Sequence, residues 1–383
     1  MDGDGEDRDP TAKKGGRSIP FVTLHTEGPD AGKFAVSDEA REVLSAIDGP
    51  LSVIAVVGQY RTGKSFLLNR ILLGQNDGFS VGSTVNACTK GLWIWSEPLR
   101  AIASDGMPVN LLIVDTEGLN SMEAGTKHDC IIFALALLTS SFFLYNSVGT
   151  ISESAIDTLS LVVEMTKYIR TSTSKEEDGT SFAQFFPKFL WVVRDFSLQL
   201  VNESGKSISS KEYLENALRE MPGQSEKAAN KNRIRLAIKG FFQQRDCFPL
   251  VRPVEDERLL QTLSSSSDTV LRPKFVKQME DLRSMVMTSA DPKKIKAGLV
   301  TGYMLTELVQ SWVHAVNDGK VPSVEDTWTN VCQAELRKQV SSLDAKYLKE
   351  QQHLLDSLPM TEAELLNKSP HHSVIYKRNV LEG

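Results

Sequence analysis

Apolar residues along this chain follow two rhythms, and the change falls near residue 272. Before that point short runs dominate. "LSVIAVVG" (51–58) is almost wholly apolar, rich in β-branched residues and closed by glycine. A parallel strand covered on both faces has that pattern. "VNLLIVDTEG" (109–118) is a second such run with acid at its carboxyl end, and "SFFLYN" (141–146) and "FLWVVRD" (189–195) are two more. Between them the spacing turns helical. "SFLLNRILLG" stops at Gly74, and 151–170 places Ile156, Leu159, Val163 and Ile169 among its apolar positions. Strands alternating with helices predict an α/β fold: a three-layer domain around a mainly parallel sheet.

Beyond residue 272 the period lengthens. Leu299, Met304, Leu305, Leu308, Val309, Trp312, Val313 and Val316 recur at three- and four-residue steps. After "NDGKVPS" the stretch Val324, Trp328, Val331, Leu336, Val340, Leu343, Tyr347 and Leu348 does the same. This half is expected to be all-helical. "SSSS" (264–267) and Pro273 mark the hinge, so the expected organisation is a disordered tail over 1–18, an α/β domain over 19–270 and a helical region over 271–383. No clear closing element ends that region, which suggests a piece of a longer protein.

Composition changes this picture little. At 383 residues, 41% hydrophobic and 24% charged, the chain is an ordinary globular one long enough for two domains. A net charge of −6 argues against broad electrostatic attraction to nucleic acid or an anionic membrane. Cys88, Cys130, Cys247 and Cys332 form no CxxC pair, which points to reduced thiols in a cytoplasmic or nuclear compartment and against structural zinc. The tail is polar, unlike a secretory leader. "CIIFALALL" (130–138) is too short to span a bilayer and reads as a buried helix feeding a strand. "NVLEG" at the C-terminus is no prenylation box.

The chemistry concentrates at the ends of the predicted strands. "GQYRTGKS" (58–65) fits GxxxxGK[ST] between a buried strand and a helix. In such a loop backbone N–H groups cradle phosphate oxygens, Lys64 reaches the β- and γ-phosphates, and the Ser65 hydroxyl ligates Mg²⁺. The candidate nucleotide-binding residues are therefore Gly58, Gln59, Tyr60, Arg61, Thr62, Gly63, Lys64, Ser65 and Phe66. "DTEG" (115–118) ends the next buried strand: Asp115 is placed to hold Mg²⁺, and the Gly118 N–H to sense a γ-phosphate. In "GSTVNACTKG" (82–91) Thr89 is a candidate for a second hydroxyl on Mg²⁺, and Thr84 competes for that role on pattern alone. No [NT]KxD tetrad follows a strand. "VVRDF" (192–196) offers Asp195 as acceptor for a guanine edge, with Arg194 over the base plane. His128 and Asp129 are explained by a helix start, and Cys88 lacks a neighbouring base.

Taken together, "GQYRTGKSFLLNRIL", "GFSVGSTVNACTKGLWIW", "VDTEGL", "FLYNSVGTISESAID" and "FFPKFLWVVRDFSL" resemble the large GTPase domain of the guanylate-binding proteins, in the dynamin superfamily. The likeness runs from about Pro20 to about Pro253 and continues more weakly into the helical half. It implies a P-loop GTPase that binds GTP with Mg²⁺, pairs through its nucleotide domains and releases GDP or, onward, GMP, in cell-autonomous defence. It implies that Arg61 acts as an internal arginine finger, Thr89 as switch threonine, and Glu117 in a relay that places the attacking water. Catalytic work would thus fall on Arg61, Lys64, Thr89 and Glu117, metal binding on Ser65, Thr89 and Asp115, and guanine reading on Arg194 and Asp195. One departure stands out: the family usually has serine where this chain has Ala87, one hydroxyl fewer in the water relay. The alternative is therefore a GTP-switched scaffold with weak hydrolysis.

Overall fold

A computed structural model describes residues 15–80, 91–116, 118–119, 126–161, 185–223, 225–261, 263, 266–321 and 323–356. The chain falls into two units, Met1–Trp328 and Thr329–Gly383. Among its described residues the first is organised by a nine-stranded sheet. Its strands are β1 (Ser18–Leu24), β2 (Phe34–Val36), β3 (Leu51–Gly58), β4 (Leu92–Trp95), β5 (Leu99–Ile102), β6 (Pro108–Thr116), β7 (Phe142–Val148), β8 (Lys188–Arg194) and β9 (Arg245–Leu250). They lie in the order β2-β1-β4-β6-β3-β7-β8-β9, with β5 also on β6.

Strands β6, β3, β7, β8 and β9 are mutually parallel. Every residue of β3 is buried, Ser52 included, as its almost wholly apolar run requires when helices cover both faces. Pro249 lies in β9 at the end of this order, where a missing N–H does least harm.

Helices α1 (Asp38–Ser45), α2 (Lys64–Leu67), α3 (Thr126–Thr139), α4 (Glu153–Thr158), α5 (Ser210–Ala217), α6 (Glu226–Phe241), α7 (Glu257–Gln261) and α8 (Pro273–Thr288) surround the sheet. Helix α3 packs on β3 and β6. Cys130–Leu138 are buried all round it, so the "CIIFALALL" run is a core helix. On the opposite face Ile54, Val56 and Ile113 form one core with Phe66 and Leu67 of α2 and with Phe275, Met279, Leu282 and Val286 of α8. Helix α9 (Gly302–Asn317) packs against α1, β2 and α3, and α10 (Val324–Asp356) runs into the second unit. No helix among the described residues is long and apolar enough to cross a membrane.

Three features depart from the periodicity reading. The strands on one side of β6 pair antiparallel: β4 and β5 with β6, β1 with β4, and β2 with β1. Three of these strands have only three or four residues, and β1, seven long, mixes polar and apolar positions without a strict alternation. The helix after the glycine loop widens at Leu68–Leu73 into a π-helical turn. There Asn69 leaves the helix surface to bond Phe79, donating to its carbonyl at 2.9 Å and accepting from its N–H at 2.8 Å. Finally, β10 (Lys294–Ile295) and β11 (Gly298–Leu299) form a hairpin inside the stretch expected to be all-helical, reversing at Lys296, whose φ is 55°. Pro292 denies the chain a helical continuation there.

Candidate functional site

Connections cross opposite faces of the sheet around β3: α2 follows β3 on one face, and α3, which leads from β6 to β7, covers β3 and β6 on the other. A crevice must open at the carboxyl ends of such strands. Four strand ends meet there. Gly58 closes β3, Asp115 and Thr116 close β6, Asn146 pairs with Gly58 across β7, and Arg194 closes β8.

The 58–65 loop is held from within and from below. The Thr62 hydroxyl donates to the Gln59 carbonyl at 2.7 Å, and the Lys64 ammonium reaches the same carbonyl at 3.3 Å. Lys64 is only 7% exposed, so its charge is presented to the loop interior rather than to bulk water. Gly63, φ 76°, is the left-handed residue that turns the loop into α2. A Cβ at Gly63 would also lie 2.0 Å from Arg194 Nη1, so glycine is needed twice over. The Gly58 backbone lies so close to β7 that a Cβ there would be 2.1 Å from the Asn146 carbonyl oxygen.

The Ser65 hydroxyl donates to Asp115 Oδ2 at 2.6 Å. Asp115 is fully buried, and its other oxygen accepts from the Thr116 N–H at 3.0 Å. The Thr116 hydroxyl donates to the Val56 carbonyl, tying the end of β6 to β3. Beyond it the chain docks on the loop: Leu119 N–H donates to the Gly58 carbonyl at 3.1 Å, and Tyr60 N–H to the Leu119 carbonyl at 3.0 Å. Gly118 therefore sits beside Tyr60 at the lip of the loop. A hydroxyl and a carboxylate in contact at a phosphate loop are the hard oxygen donors Mg²⁺ takes, the rest coming from water and phosphate. Among the described residues no group of three or more His, Cys, Asp or Glu gathers as a metal cage.

Arg61 is exposed, with φ 61° and its guanidinium 5.2 Å from the centre of the Tyr60 ring. Arg194, proposed from the sequence for base reading, is braced against the phosphate loop. It is buried, donating from Nη1 to the Thr62 carbonyl at 3.1 Å and the Gly63 carbonyl at 3.0 Å, above the Phe66 ring. Burial lowers its proton affinity, an effect opposed by the charge of Asp195. Asp195 has a left-handed φ of 55°, and its buried Oδ1 has no hydrogen-bond partner among the described residues. A carboxylate oxygen in that state awaits a donor. Thr89 and Glu117, like Thr84, Ala87 and Cys88, lie outside the described residues.

Asn146 was not anticipated. It is 0% exposed, and its Nδ2 donates to the Thr62 carbonyl at 2.9 Å and to the Thr62 hydroxyl at 2.8 Å. An amide following the apolar run "FFLY" was the available signal.

The profile described as "Guanylate-binding protein, N-terminal domain" matches residues 31–295, and "Guanylate-binding protein, C-terminal domain" matches 296–374. The chain is 42% identical over 323 residues to guanylate-binding protein 6 of Mus musculus, covering 83% of this chain and 51% of that protein. It is 40% identical over 324 residues to guanylate-binding protein 7 of Homo sapiens (82% and 50%) and 40% over 337 to guanylate-binding protein 1 of Chlorocebus aethiops (85% and 56%). The chain thus spans about half the length of these curated relatives. A glycine loop braced by four strand ends, a serine–aspartate pair at its head and two contiguous profile matches lead to one conclusion: the chain belongs to the guanylate-binding protein family.

Proposed function

We propose that this chain is a Mg²⁺-dependent GTPase that pairs through its nucleotide domains and completes its active site with Arg61. The observation that carries the reading is the Ser65–Asp115 contact at the head of a loop whose lysine is turned inward. Loop N–H groups and Lys64 would hold the phosphates, while Ser65 and Asp115, joined by Thr89, would hold the metal. The bound ion would neutralise charge on the β- and γ-phosphate oxygens. Asp195 would accept from the guanine N–H groups through its unpartnered oxygen. Glu117 would act in the relay that orients water.

Arg61 suits a role that depends on pairing, because it is exposed on a loop otherwise held by internal bonds. An arginine finger is worth ~10³–10⁵ in rate, since phosphoryl transfer is accelerated mainly by positioning and charge stabilisation. Ala87 favours a second reading, a GTP-switched scaffold that turns over slowly.

The test is GTP turnover at rising protein concentration, with products separated by chromatography. Specific activity should climb with concentration, and Arg61→Ala should remove the climb while GTP still binds. A flat, near-zero rate with intact binding would transfer the assignment to the scaffold.

A further inference from the structure

We propose that Asn146, with Arg194, is a positioning residue that fixes the root of Arg61 by clamping Thr62; the proposal rests on the finger reading of Arg61. Asn146 lies on β7, opposite Gly58 in register and fully buried. A buried amide in a core strand is costly unless bonded. Its two N–H protons go to a single residue, Thr62, one to the carbonyl and one to the hydroxyl.

The direction of these bonds follows from chemistry. A carbonyl oxygen can only accept, and the Thr62 hydroxyl proton is given to the Gln59 carbonyl at 2.7 Å. Both Thr62 oxygens therefore present lone pairs to Asn146, which must turn its NH₂ toward them. Arg194 adds a cationic donor to the same Thr62 carbonyl and to that of Gly63. Thr62 is thus held by Gln59 from its own loop, by Asn146 from β7 and by Arg194 from β8.

Directly before this clamped residue stands Arg61 in the left-handed region, which a side chain other than glycine adopts only under constraint. The clamp supplies the constraint. Its effect is to pin the Arg61 α-carbon while the guanidinium remains outside, so that the finger swings from a fixed pivot. Loss of the clamp should leave the phosphate cradle in place but let the pivot wander, and a misplacement of about 1 Å can cost ~10²-fold in rate.

The experiment measures GTP affinity by fluorescence and single-turnover hydrolysis under pairing conditions. It compares the intact chain with Asn146→Ala, Arg61→Ala, the double variant and Thr62→Val, which removes the clamped hydroxyl in an equal volume. Asn146→Ala should lower kcat roughly 10–100-fold with affinity changed only a few-fold. In the double variant the rate should equal that of Arg61→Ala, because a pivot without a finger has nothing to position. Thr62→Val carries the same kcat test if Asn146→Ala does not fold. If Arg61→Ala leaves turnover intact, the finger reading falls and takes the clamp's purpose with it. If Arg61→Ala is slow but the Asn146→Ala defect multiplies it, or appears only in affinity, the finger stands and the clamp proposal is overturned.

Discussion

Lys293 provides a quantitative check on the fold that supports the site. It is 4% exposed; its ammonium donates to the Ser140 carbonyl at 2.8 Å and the Phe185 carbonyl at 3.2 Å, and its own N–H to the Leu51 carbonyl at 2.6 Å. It thereby ties the β10–β11 hairpin to the start of β3, the strand whose other end carries the phosphate loop. Two neutral carbonyls do not replace the hydration of a full charge, and burial pushes its pKa from the ordinary 10.5 down to about 7. Below about pH 7 both folded and unfolded chains carry the proton and the full penalty is present. Between about pH 7 and 10.5 the unfolded chain holds one more proton than the folded one. Stability should therefore rise with pH by ~1.4 kcal/mol per pH unit from this group, about 5 kcal/mol across the window. The Lys293→Met variant lacks that titration. Urea unfolding at about pH 7.5, 8.5 and 9.5 should show its advantage over the native chain shrinking by ~1.4 kcal/mol per step, whatever its absolute stability. Parallel curves would refute the claim that this ammonium is buried without a counter-charge.

Two further outcomes follow from the loop. Gly63→Ala places a side chain at φ 76°, costing about 1–2 kcal/mol in backbone strain, and its Cβ expels Arg194 from two carbonyls. A lower urea midpoint and more than ~10-fold weaker GTP binding are expected, and unchanged values would mean the Arg194 brace is dispensable. Asp195→Asn replaces a charged acceptor by a neutral amide, so the preference for GTP over ATP should fall roughly 10–100-fold in competition binding. Undiminished preference would remove Asp195 from base reading.

Where chemistry is local, residue order alone was enough. The apolar runs at 51–58, 109–116 and 189–194 read as strands because they are short, rich in β-branched or aromatic residues and closed by glycine or an acid, whereas the equally apolar 130–138, rich in Leu and Ala, is a buried helix. "GQYRTGKS" declares its loop because two glycines, a lysine and a hydroxyl at that spacing have few other uses. Tertiary structure decided what depends on distant neighbours. The antiparallel strands β2, β4 and β5 are too short for a period to show and β1 lacks a clean one, and they exist because β6 offers an edge to extend. Arg194 bonds to the loop carbonyls of Thr62 and Gly63, since Gly63 leaves room for its guanidinium beneath the turn. Asn146 finds its partner only when β7 is laid beside β3. Spacing along a chain reports what one segment must bury, whereas a hydrogen bond across 84 residues, from Asn146 to Thr62, exists only once the sheet has set the two strands side by side.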